Sequence, residues 1–345
     1  MNFNEMSDNQ RRVFIDAAQI YEAYMEAFWQ NISYRGSMLW KKVGGKEYLF
    51  RLNDRHGNGK SLGVRSESSE KIFSEFHENK WRIKERFDGL KQRLEEQARF
   101  CKAALIQRVP RICAKILRLS EQHRILGKNI VIIGTNALYA YESAAGVFTD
   151  RSVTATQDAD ILWDIRPKLC LAADGEMNSG GFIGLLRKAD KTFEPVRKYG
   201  FRAVNKDGYM VDLIKPEPRP AMKKERQRMG GSDDLKAVEI RNLQWLISSP
   251  KFSQTIIGDD GFPATMIVPD PRSFVLHKLW LSQQTDREPL KKKRDFNQAG
   301  GVAHLIMQYL PEYRFEPSEL RMFPKHLIDD WHLFATKIGS KNYKK

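Results

Sequence analysis

Three aspartates, Asp158, Asp160 and Asp212, carry the chemistry this chain is best equipped for. In "TQDADILWD" (residues 156–164), Asp158, Asp160 and Asp164 stand at alternate positions among Ile, Leu and Trp, and in "DGYMVDLI" Asp212 has apolar neighbours from Tyr209 to Ile214. Alternation marks a strand, so Asp158, Asp160, Leu162 and Asp164 share one face while Ala159, Ile161, Trp163 and Ile165 share the other. Carboxylates two residues apart repel, so something positive should lie between them, and a divalent ion fits best; the alternative is a solvated edge strand whose aspartates face water or pair with Lys and Arg. Asp212 raises the same demand more sharply, because burying an unpaired carboxylate costs several kcal/mol. Either it joins Asp158 and Asp160 around two Mg²⁺ roughly 3.5–4 Å apart, the arrangement for in-line phosphoryl or nucleotidyl transfer, or it forms a buried salt bridge with a residue such as Lys215 or Lys278.

The segment before these aspartates could hold phosphates. "KNIVIIGTNALYAYESAAG" begins with a β-branched run, turns at Gly134-Thr135 and continues as an Ala-rich helix to about Ala145. At such a turn the N–H groups that open the helix and the Thr135 hydroxyl can take phosphate oxygens, with Gly134 permitting close approach. The alternative is an ordinary turn in which Thr135 caps the helix.

These groups must be positioned by a scaffold, and three sections emerge. The first, 1–125, has helical apolar spacing at Val13, Ala17, Ile20, Tyr24 and Phe28 and again from Ile83 to Leu105, followed by a further helix after Pro110. Between the first two helices, turns at Gly44-Gly45 and at 56–59 separate short alternating runs, a small β-meander. Its Trp40, Lys41, Lys42, Tyr48 and Arg51 could stack on bases and grip phosphates, or could form a solvated basic face over an aromatic core. The second section, 126–220, holds the turn, the carboxylate strand and a hairpin with its bend at 205–208 and Asp212 in its second strand. The third, 221–345, reads as mainly helical, with starts at Asp270-Pro271 and Pro289. His277 in it reads as a packed residue, and "KKERQRMGGSDD" (223–234) as an exposed basic loop, either a connector or an acceptor contact.

Composition limits the partners. At 345 residues and 41% hydrophobic content the chain can bury a sizeable core. No 18-residue apolar run and no basic n-region ahead of an apolar stretch is present, so we expect a cytoplasmic protein with no membrane span. Cys101, Cys113 and Cys170 match no zinc spacing and read as reduced structural thiols. Lys and Arg number 58 against 43 Asp and Glu, a net charge of +15 that attracts polyanions such as RNA, DNA or nucleoside triphosphates.

A Gly-plus-hydroxyl turn opening a helix, then Asp-x-Asp on a strand, then a lone Asp in an apolar strand resembles the DNA polymerase beta-like nucleotidyltransferase superfamily. "GTNALYAYESAAGV", "DGYMVDLI" and "PDPRSFVLHKLWLSQQTDREPLKKKRDFNQA", with "GSMLWKK", "KSLG" and "WLISSPKF", look more closely like a bacterial family of nucleotidyltransferase-fold proteins. The superfamily more often has Gly-Ser or Gly-Gly at the turn, and a shorter spacer before the carboxylates. The resemblance implies an α+β fold: a minimal mixed sheet with flanking helices, here with an N-terminal helical arm, a small β-meander and a helical C-terminal domain. It implies Asp158, Asp160 and Asp212 as catalytic metal ligands for two Mg²⁺, or Mn²⁺, and Gly134 and Thr135 as the nucleotide-binding turn. Lys278 and Arg294, from the helical section, become candidates to reach the triphosphate, and Asp212 the candidate to deprotonate the acceptor. The expected activity is transfer of a nucleoside monophosphate to an acceptor hydroxyl, with RNA such as a tRNA end favoured by the charge. Nucleotidylation of a protein hydroxyl, and a non-catalytic nucleic-acid-binding or toxin-neutralising protein on the same fold, remain alternatives.

Overall fold

A computed structural model describes residues 3–54, 56–150, 154, 156–166, 180–218 and 226–342. Cys170 and residues 223–225 of the basic segment 223–234 lie outside them; Cys101 and Cys113 are buried free thiols. The chain divides into two compact units, Arg12–Ile106 and, together, Met1–Arg11 and Gln107–Lys345.

In the smaller unit, helix α1 (Asp8–Ser33) precedes strands β2 (Ser37–Val43), β3 (Lys46–Leu52) and β4 (Gly59–Val64), an antiparallel meander in the order β2-β3-β4. Helix α2 (Glu67–Ala103) follows; a reciprocal Ser66–Ser69 capping box opens it, and Glu67 and Glu70 sit where the helix dipole favours negative charge. Met38 and Leu49 of the meander pack with Phe76 of α2.

The larger unit is built on a mixed sheet. Strand β1 (Phe3–Glu5) pairs with β6 (Val147–Thr149) apart from it. Helix α3 (Arg111–Gln122) leads to β5 (Ile130–Ile133), four buried apolar residues in succession, as expected of a strand covered on both faces. Helix α4 (Ala137–Ala145) ends where Gly146 takes the left-handed conformation. Then come β7 (Asp158–Trp163), α5 (Gly181–Ala189), β8 (Glu194–Pro195), β9 (Arg202–Val204), β10 (Met210–Pro216) and β11 (Val238–Ile240). The sheet order is β5-β7-β10-β9-β8 with β11 also on β10; β7 and β11 run parallel to β10, the other pairs antiparallel. Ile132, Ile161, Val211 and Leu213 enter one core with Leu117 of α3, Phe182 of α5 and Tyr141 of α4.

The helical reading of the last section holds from Pro271 onward, in α7 (Pro271–Gln283), α8 (Pro289–Tyr309) and α9 (Lys325–Asn342). Asp270 caps α7 by accepting from the Arg272 N–H at 2.8 Å. Ahead of it come β11, short α6 (Gln244–Ser248) and an antiparallel hairpin, β12 (Lys251–Ile257) with β13 (Pro263–Pro269). The central and last sections thus belong to one unit, because β11 extends the sheet and α8 reaches the turn after β5. Helix α3 belongs to it as well. In the described part of the basic segment, Asp234 is buried and accepts from the Phe182, Ile183 and Gly230 N–H groups, an anchor rather than a free connector.

Candidate active site

The pairing of β7 with β10 brings the carboxylates together. Asp160 lies opposite Asp212 and Asp158 opposite Met210, and since partners in a parallel pair project to the same face, Asp158, Asp160 and Asp212 share one. Asp164 lies one residue beyond β7, buried, and both its oxygens accept from Arg166 at 2.7–2.9 Å. On the other flank Ile133 of β5 is opposite Asp160, so the chain leaves β5 beside that carboxylate. Gly134 makes the turn with φ +68°, and a Cβ there would collide with the Asp160 carboxylate, so glycine is required twice over.

Electrostatics follow from this crowding. Burial, and then the charges of Asp158 and Asp212, push the Asp160 carboxyl up from 3.8 to about 6, with Lys278 and Arg202 opposing. The two oxygens of Asp212 accept from Nε and Nη2 of Arg202, both at 2.6 Å, a bidentate pair set by the β9–β10 register that puts Arg202 opposite Asp212. The buried salt bridge expected as one reading for Asp212 is present, made with Arg202 in place of Lys215 or Lys278. Lys215 pairs with Glu239 and Lys278 with Asp295, because strand pairing places Arg202 nearer than either. Asp158 accepts from the Thr156 hydroxyl, and the Asn136 amide donates to the Asp158 carbonyl at 2.6 Å.

Thr135 is not a helix cap. Its hydroxyl accepts from Nη2 of Arg294 and, at 3.1 Å, from Nε2 of Gln298. These residues are four apart on α8 and so project together. Sequence reasoning singled out Arg294 and missed Gln298 and Asn136; the available signals were the i+4 spacing and the place of Asn136 directly after Thr135. Lys278 is tied elsewhere: its ammonium donates to Asp295 at 2.7 Å, and Arg287 takes the other Asp295 oxygen. Burial lowers the Lys278 pKa, while Asp295 and then Asp160 hold it up, so it acts on the carboxylates through space. His277 is packed as expected, its imidazole pushed down to about 3 by burial.

The five meander residues do not form one surface. Register partners share a face, so Trp40, Lys42 and Arg51 lie with Met38 and Leu49, whereas Lys41 and Tyr48 lie with Phe50 on the other. Trp40 packs with the α2 cluster, 5.7 Å from the Phe73 ring, and Arg65 covers it. Arg51 sits 4.1 Å over Phe76 and donates to the Arg35 carbonyl at 2.9 Å. Lys41 lies over Phe50 on the outer face. The hairpin's period of two splits what proximity in sequence had joined.

Among the described residues, no group of three or more His, Cys, Asp or Glu is arranged to hold a metal ion. The carboxylate set nevertheless suits a hard divalent cation: its ligands would all be oxygens, and the repulsion that raises Asp160 is what such a cation relieves. A cation at Asp212 would compete with Arg202.

Comparison with curated proteins and with solved structures returned no match. A family model described as "Nucleotidyltransferase" matches residues 111–322, which take in the turn, all three carboxylates, Arg294 and Gln298, and the chain belongs to that nucleotidyltransferase family.

Proposed function

We propose that the protein is a metal-dependent nucleotidyltransferase, built like members of the DNA polymerase beta-like superfamily, that transfers a nucleoside monophosphate from a triphosphate to the hydroxyl of a nucleic acid. One observation carries the reading: Asp160 and Asp212 face each other across β7 and β10 with the Gly134-Thr135 turn against Asp160. Asp158, Asp160 and Asp212 would hold Mg²⁺ or Mn²⁺, which when bound neutralises phosphate charge and eases ionisation of the acceptor hydroxyl. Gly134 leaves room for the phosphate chain, and Thr135, Arg294 and Gln298 orient its β- and γ-phosphates. The acceptor oxygen attacks the α-phosphorus, the bond to the bridging oxygen of the β-phosphate breaks, and pyrophosphate leaves. A carboxylate oxygen of Asp212 takes the hydroxyl proton once Arg202 releases it.

The Arg202–Asp212 pair favours one second reading, in which the fold binds nucleic acid without turnover. Incubation with each α-labelled triphosphate, Mg²⁺ or Mn²⁺, and total RNA separates the two. The transferase reading expects label in RNA that disappears in Asp160→Asn; no incorporation with any triphosphate and either metal leaves the binding reading. Label appearing in added protein instead would make a protein hydroxyl the acceptor.

A further inference from the structure

A second charged feature lies beside the carboxylates and takes no part in the chemistry above. A pocket of about 730 Å³ is lined by Arg111 and Lys115 from the first turns of α3, Lys188 near the end of α5, Lys191 just after it, and Lys206 in the β9–β10 turn. Five cations thus converge from three separate segments. Two carboxylates oppose them, Asp190 and Asp207. Asp190 is occupied: it accepts from the Thr192 N–H and hydroxyl at 2.8–2.9 Å and from the Asn205 amide at 3.0 Å, bonds that hold its pKa below the ordinary value. Among the described residues no ion pair engages Arg111, Lys115 or Lys191. The positive start of α3 and the negative end of α5 meet here and offset one another, so the side-chain cations decide the potential.

The pocket's remaining wall connects it to the site. Gln157 and Tyr209 line it, and they immediately precede Asp158 and Met210, the first register pair of β7 and β10, with the Met210 N–H donating to the Gln157 carbonyl at 2.8 Å. We propose that this pocket binds backbone phosphates of the nucleic-acid acceptor, next to the strand ends that carry Asp158. Cations spread over three segments suit a chain of phosphates rather than one compact anion. The word acceptor rests on the transferase reading; the binding site does not.

The test uses the full chain, a fluorescein-labelled single-stranded RNA oligonucleotide, and a triple variant, Lys115→Gln with Lys191→Gln and Lys206→Gln. A control of equal charge change replaces Lys198, Lys236 and Arg321 by Gln. The pocket variant should lose about tenfold or more in RNA affinity at low salt and flatten the dependence of log affinity on log salt by about 2, at ~0.7 per lost contact to a single strand. Its affinity for a fluorescent triphosphate analogue and its thermal midpoint should match the parent, and the control should bind RNA like the parent. RNA affinity unchanged in the pocket variant, or reduced equally in the control, overturns the proposal, as does loss of triphosphate rather than RNA binding. If RNA binds through the pocket but no label is ever transferred, the transferase reading falls and the pocket stands. If label is transferred equally well by the pocket variant, the pocket falls and the transferase reading stands.

Discussion

Asp160 is the residue on which folding and chemistry pull in opposite directions. Its carboxyl is raised from 3.8 to about 6, so the fold disfavours its ionised form. The cost is absent below the unfolded value near 4 and complete above about 6, which means stability falls as pH rises through that window. Asp160→Asn should therefore stabilise metal-free protein by about 2 kcal/mol at neutral pH and above, a figure reduced for the partial exposure of the group. The gain should vanish near pH 4. Denaturant unfolding with a chelator at several pH values checks this, and a pH-independent gain would count against it. Arg202→Gln is the complementary case, since it leaves Asp212 buried and without its bidentate partner. With Arg202 about a quarter exposed, a loss of about 2–3 kcal/mol is expected in chelator, partly recovered with Mn²⁺. Thermal melts with and without the ion read both effects, and equal loss in each would mean that no cation replaces the guanidinium.

At the scale of elements, α8 and the turn after β5 act as one device. Arg294 and Gln298 converge on a single hydroxyl, so Thr135→Ala and Gln298→Leu should each weaken triphosphate binding by about 1–3 kcal/mol, and the double variant should lose less than the sum. Thr135→Ser keeps the oxygen and should be nearly neutral. Additive losses in a titration with a fluorescent triphosphate would show that the two groups work separately. In the smaller unit, the meander and α2 share a few apolar side chains. Leu49, fully buried, should cost about 2–5 kcal/mol as Leu49→Ala, whereas Lys41→Ala on the outer face should leave the unfolding midpoint nearly unchanged. Comparable destabilisation by both would contradict the two-faced reading of the hairpin.

The whole molecule carries a charge of +15, which acts over distances that individual contacts do not. A protein that neutralises six or more phosphates loses about 10³-fold or more in duplex affinity between 50 and 200 mM salt, and somewhat less for single strands. A steep response is expected here with single-stranded RNA; a flat one would remove nucleic acid as the acceptor. Among the described residues no helix is long and apolar enough to cross a membrane.

By itself the sequence determined what local pattern can encode. The period of two in "DADILW" set the face of Asp158 and Asp160, the apolar run around Asp212 set its burial, and Gly134-Thr135 marked the turn and the helix running to Ala145. Proline and aspartate at 270–271 placed the start of α7. These features persist because backbone sterics and side-chain alternation act over a few residues. Only the tertiary structure decided which polar side chains meet: Arg202 reaches Asp212 through hairpin register, and Gln298 reaches Thr135 across 163 positions. It also split the meander's basic and aromatic residues between two faces, and gathered Arg111, Lys115, Lys188, Lys191 and Lys206 around one pocket. Charge carries no directional pattern along the chain, and an ionic partner is fixed by strand register and packing between distant segments, which no short window of residues contains.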